Sequence, residues 1–151
     1  MTTTLKARLR SDLTTAIKGR DELRSATIRM ALAAITTEEV AGKVARELSD
    51  DEVLKVLGRE VKKRKEAAEA FAGAGRAEQA AREEAEGEVL TAYLPAQLSD
   101  EELHGLVAAA VAETGAEGPR AMGVVMKVLT PRIAGRADGS RVAAAVKSAL
   151  S

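Results

Sequence analysis

The stretch YLPAQLSDEEL, residues 93–103, decides how this chain is divided. Pro95 biases Leu94 away from the helical conformation and so ends the helix arriving there. Shortly after it, Ser99-Asp-Glu-Glu102 has the spacing of a capping box, in which the serine hydroxyl accepts from the fourth residue's amide and the glutamate reaches back. A stop followed by a fresh start predicts two helical parts, residues 1–94 and 95–151, joined at residues 93–98.

Working back from this break, the first part reads as a bundle of about four helices. Thr2–Thr4 offer N-caps for a stripe of Leu5, Leu9, Leu13, Ala16 and Ile17, which Gly19 stops. A second helix starts near Asp21, with Leu23, Ile28, Ala31, Leu32 and Ile35 on its face, and fades near Gly42. The connection to Leu48 is not defined by pattern. Ser49-Asp-Asp-Glu52 is another capping box and places the third helix start at Asp50. Its apolar face holds Leu54, Leu57, Val61, Ala68 and Phe71, and Arg64 falls on the same line. That arginine is expected to pair with an acid of the fourth helix, Glu84 or Glu88. Gly73-Ala-Gly75 ends the third helix, and the fourth runs from about Arg76 to Leu94 along Ala77, Ala81, Ala85, Val89 and Ala92.

Forward from the break lie three short helices. Leu103, Leu106, Val107, Ala110 and Val111 mark the first, closed by Gly115. Gly118-Pro119 opens the second, with Pro119 suited to a first turn, a stripe of Met122, Val125, Met126 and Leu129, and Pro131 breaking it soon after. Gly135 to Gly139 is a turn with Asp138 as cap, and the last helix carries Val142, Val146 and Leu150. Met122, Val125, Met126, Leu129, Ile133, Val142 and Val146 are expected to form the small core, with Gly123 permitting close helix approach.

The composition agrees with an all-α chain. Hydrophobic residues make up 46%, enough for a core, yet Phe71 and Tyr93 are the only aromatic residues, so the interior must be aliphatic. No β-branched run of period two occurs. The formal net charge is zero, which removes any global attraction to nucleic acid or membrane. It conceals a local split. Residues 95–117 hold five acids and no Lys or Arg, whereas residues 118–151 hold six cations (Arg120, Lys127, Arg132, Arg136, Arg141, Lys147) against Asp138 alone. No leader peptide and no apolar run of about 18–20 residues is recognisable, so a soluble cytoplasmic protein is expected.

Catalytic chemistry finds little support. There is no cysteine and His104 is the only histidine, which argues against a His/Cys metal centre and a Ser-His-Asp triad. No phosphate-binding loop or dinucleotide fingerprint is present. Asp50-Asp51 reads as the first turn of a helix and Glu83-Glu84 as a solvated face. Lys62-Lys63-Arg64-Lys65 is interleaved with Glu60, Glu66 and Glu69 and reads as helical ion pairing. No catalytic residue, metal or cofactor is therefore expected.

Residues 49–71, YLPAQLSDEEL at 93–103 and MGVVMKVLTPRIAGRADGSRV at 122–142 resemble the GatB/YqeY family over nearly the whole chain, in its stand-alone YqeY-like form. The C-terminal part is similar to the tail domain of GatB, the glutamyl/aspartyl-tRNA amidotransferase component that carries it. The resemblance implies an N-terminal helical bundle, a three-helix C-terminal domain and contact with tRNA. It also implies a family association with carbon–nitrogen ligation using glutamine as amido donor, but this chain lacks the catalytic core that precedes the tail in GatB. Two functions follow as expectations: a tRNA-binding accessory module using the six cations named above, or a protein-interaction scaffold, such as one for a translation-related partner. DNA and membrane are not expected partners.

Overall fold

The computed structural model describes residues 3–151. Its regular structure among these residues is seven α-helices and one 3-10 turn, with no strand, so the chain is all-α. Two units divide it, Met1–Leu94 and Pro95–Ser151, each around its own buried hydrophobic cluster.

The N-terminal unit contains α1 (Leu5–Lys18), α2 (Glu22–Glu39), α3 (Asp50–Gly73) and α4 (Ala77–Thr91). Local chemistry sets its helix starts. Thr4 caps α1, accepting from the Ala7 amide at 3.1 Å, and Asp21 caps α2; Thr2 lies outside the described residues. Both halves of the Ser49–Glu52 capping box are present at α3. Each such cap is worth about 1 kcal/mol. The core joins Leu9 of α1, Ile28 and Ile35 of α2, Val53 and Leu57 of α3, and Leu90 and Tyr93 at the end of α4.

Polar contacts order the connection that periodicity left open and also the end of the fourth helix. Glu39, buried at the end of α2, accepts from Lys6 Nζ at 2.7 and 2.9 Å and from the Leu48 amide at 3.2 Å. These contacts hold both ends of the 40–48 connection, and the Lys6 hydrogen bond, followed by that of Leu48, keeps the Glu39 carboxyl below its usual range. The Tyr93 hydroxyl donates to Asp12 of α1, while the Arg8 guanidinium lies 4.8 Å from the ring centroid. The segment just before the Pro95 break is thus tied to the first helix.

Burial, and then Asp12 beside it, push the Tyr93 phenol up to about 12. A raised folded-state value means that the native chain retains a proton which the unfolded chain gives up near pH 10. This contribution to stability is fully present below about pH 10 and is lost as pH rises through about 12. Tyrosinate absorbance should show the delayed titration, and Tyr93→Phe should remove the phenol's share of the alkaline loss. A midpoint near 10 in the native protein would contradict the burial and the Asp12 contact.

The expected faces need correction. Ile17 is 47% exposed. On α3 the buried stripe is Val53, Val56, Leu57, Glu60, Arg64 and Ala68, with Leu54, Val61 and Phe71 only half-buried. On α4, Ala77, Ala81 and Ala92 are exposed, and Ala80, Glu86, Gly87 and Leu90 face inward. The cause is Arg64. Its guanidinium is buried between Glu60 Oε1 at 3.7 Å and Glu86 Oε2 at 3.8 Å, so α4 turns Glu86 inward. Gly87 leaves room beside it: a Cβ there would sit 3.7 Å from Arg64 Cβ. Glu84 and Glu88, the expected partners, are exposed. Within the basic run, Lys63 is bound to Glu60 at 3.2 Å, one turn away on the same helix.

The C-terminal unit contains α5 (Asp100–Thr114), a 3-10 turn (Pro119–Ala121), α6 (Met122–Ile133) and α7 (Gly139–Leu150). Its core includes Leu103 and Val107 of α5, Val125 and Leu129 of α6, and Val142 and Val146 of α7; Met122 and Met126 sit at its edge. Ser99 caps α5 by accepting from the Glu102 amide at 3.1 Å, but the Glu102 carboxylate takes the Ser99 hydroxyl rather than the Ser99 amide, so only half of that box forms. Pro119 occupies the 3-10 turn ahead of α6. Pro131 lies inside α6, which continues to Ile133; in the final turn a missing N–H costs one hydrogen bond without ending the helix. Ala134 and Gly135 make the left-handed turn, with φ of +47° and +78°, whereas Gly139 is already helical. No atom beyond its local backbone lies within 4 Å of a Cβ placed on Gly123, so that glycine mediates no close approach.

Candidate nucleic-acid interface

The six cations after residue 117 divide into two groups. Three are used by the unit itself. Arg132, near the end of α6, grips both carboxylate oxygens of Glu113 on α5, with Nη2 to Oε1 at 3.0 Å. This hydrogen bond, the larger effect, keeps Glu113 below and Arg132 above their usual ranges. Arg136 donates through Nη2 to the Arg132 carbonyl at 2.8 Å and through Nε to the Ile133 carbonyl at 3.2 Å. It thereby satisfies terminal carbonyls of α6 and places positive charge at the negative end of the helix dipole. Arg141 Nη2 reaches the Leu98 carbonyl and Asp100 Oδ1, both at 2.9 Å.

These contacts act with the backbone. The Leu98 amide donates to the Arg136 carbonyl at 2.7 Å, and Gln97 Nε2 approaches the Gly135 carbonyl at 3.4 Å. Asp138 caps α7 through the Arg141 amide at 3.0 Å. The GRADG turn and the QLSD segment, far apart in sequence, are therefore two sides of one fastening. Sequence spacing could not reveal this, because the partners of Arg132 and Arg141 lie 19 and 41–43 residues away.

The other three, Arg120 in the 3-10 turn, Lys127 on α6 and Lys147 on α7, are exposed and make no ion pair among the described residues. Neither α6 nor α7 contains an acidic residue. The outward strip of α6, Gly123, Val124, Lys127, Thr130 and Pro131, is exposed throughout, with Val124 at 56%. Such a surface offers positive charge and backbone-shaped contact but no aromatic ring on which an unpaired base would stack.

Elsewhere, His104 is exposed on α5, and no group of three or more His, Cys, Asp or Glu suited to hold a metal occurs among the described residues. No helix among them is long and apolar enough to cross a membrane. A comparison with curated proteins found no match. The family model described as Yqey-like protein matches residues 6–150, and on that coverage the chain belongs to the YqeY-like family.

Proposed function

We propose that the C-terminal unit binds the phosphate backbone of folded tRNA through Arg120, Lys127 and Lys147, as an accessory module without a catalytic site of its own. The observation that carries this reading is three exposed cations, one each in the 3-10 turn, α6 and α7, that have no acidic partner among the described residues, the two helices containing no acid. The resemblance to the GatB tail of the amidotransferase supplies the RNA class and the link to tRNA-dependent amidation. Arg132, Arg136 and Arg141 contribute by shaping the α6–α7 corner. Because phosphate contacts carry no sequence information and aromatic residues are absent from the unit, recognition rests on shape and charge.

A second reading has its own support. Arg132 and Arg141 are neutralised by Glu113 and Asp100, and residues 95–151 hold six acids and six cations in all. A balanced surface with Val124 exposed beside Lys127 also suits a protein partner.

The test is tRNA binding by fluorescence anisotropy at low salt, comparing the intact chain with a variant carrying Arg120→Ala, Lys127→Ala and Lys147→Ala. These side chains contribute no ion pair to the fold, so the helical signal should be unchanged while affinity falls about tenfold or more. Equal affinity in the two proteins would reject the tRNA reading and favour the protein scaffold.

A further inference from the structure

The N-terminal unit buries a cation that its own acids hold poorly. Arg64 is 9% exposed, and its Nε is buried with no hydrogen-bond partner. Nη1 reaches the Glu60 carbonyl at 3.5 Å, and the carboxylates stand off at 3.7 and 3.8 Å. A charge-assisted contact is normally about 2.7–2.9 Å. Nη2 points instead at a thioether, Met30 Sδ on α2, at 3.6 Å. Sulfur is a weak acceptor. Met30 is itself 40% exposed, so one end of this contact is open to small reagents.

We propose that Met30 is a peroxide-oxidisable site whose sulfoxide is held by Arg64. The thioether sulfur attacks one oxygen of a peroxide. The O–O bond breaks as the S–O bond forms, and the departing hydroxide takes the proton carried by the transferred oxygen, leaving as water and giving the neutral sulfoxide. The sulfur is oxidised by two electrons and the peroxide reduced by two. The new oxygen lies on a sulfur already 3.6 Å from Nη2, within hydrogen-bond reach after a small torsion of the flexible side chain. Oxidation of a packed methionine ordinarily weakens a structure, because it makes an apolar group polar. Here the sign reverses, since a strong acceptor appears beside a buried guanidinium short of close partners. The consequence is a modification that fastens α2 to α3 and is open to reversal by sulfoxide reductases.

The test is hydrogen peroxide treatment of the full chain, with oxidation read residue by residue by peptide mass spectrometry. Met30 should oxidise ahead of Met122 and Met126, which pack against the C-terminal core. The urea midpoint followed by Tyr93 fluorescence should then hold or rise. In Arg64→Leu the same oxidation should lower the midpoint, because the sulfoxide has lost its donor. A second comparison avoids dependence on that variant's folding. Met30→Gln, whose amide oxygen stands in for the sulfoxide, should unfold at or above the midpoint of Met30→Leu. Slower oxidation of Met30 than of Met122 and Met126, an equal drop with and without Arg64, or Met30→Gln below Met30→Leu would each overturn the proposal.

Discussion

Arg64→Ala should destabilise the N-terminal unit by about 3 kcal/mol, the lower end of the range for breaking a buried ion pair. Removing the guanidinium leaves Glu60 and Glu86 buried without their shared counter-ion. The loss stays at the lower end because each acid retains a second cation, Lys63 at 3.2 Å for Glu60 and Arg82 at 3.1 Å for Glu86. Urea unfolding followed by Tyr93 fluorescence reads this unit specifically, since Tyr93 is the only tyrosine and belongs to its core. Replacing Glu60, Arg64 and Glu86 together by leucine or methionine should recover most of the loss, because the desolvation cost disappears with all three charges. A loss below about 0.5 kcal/mol for Arg64→Ala would place it among exposed pairs and contradict the packing of α3 against α4.

Leu129→Ala should have a comparable effect on the other unit. Leu129 is fully buried on α6 among Leu103, Val107, Val125 and Val146. Truncating such a leucine costs about 2–5 kcal/mol through lost burial and the cavity left behind. So short a domain has little reserve. The variant is therefore expected to lose the helical signal of α5 to α7 at room temperature while the Tyr93 transition keeps its midpoint. Loss of both signals in a single transition would contradict separate cores.

Much of this architecture is legible in the sequence because the informative signals are local. Thr4, Ser49, Ser99 and Asp138 cap helices as their spacing predicts, and Asp21 caps the helix expected to start near it, since a cap needs only its own next turn. The rotation of α3 and α4 was not legible. A pattern reading assigns buried faces to apolar residues, and here the buried stripe contains Glu60, Arg64 and Glu86. The same limit applies to the C-terminal cations. As letters, six basic residues look like one surface. In three dimensions Arg132 and Arg141 meet acids from the segment around α5, and Arg136 closes the end of α6. What distinguishes Arg120, Lys127 and Lys147 is the absence of any such long-range partner among the described residues, which sequence spacing does not encode.

The role proposed for Arg120, Lys127 and Lys147 is to neutralise RNA phosphates. The most direct measurement is the salt dependence of tRNA affinity for the intact chain and for the variant carrying Arg120→Ala, Lys127→Ala and Lys147→Ala. Three neutralised phosphates predict a slope of log affinity against log salt of about −2 to −3, falling toward zero in the variant. A flat dependence in the intact chain, or the same slope in both proteins, would contradict the account.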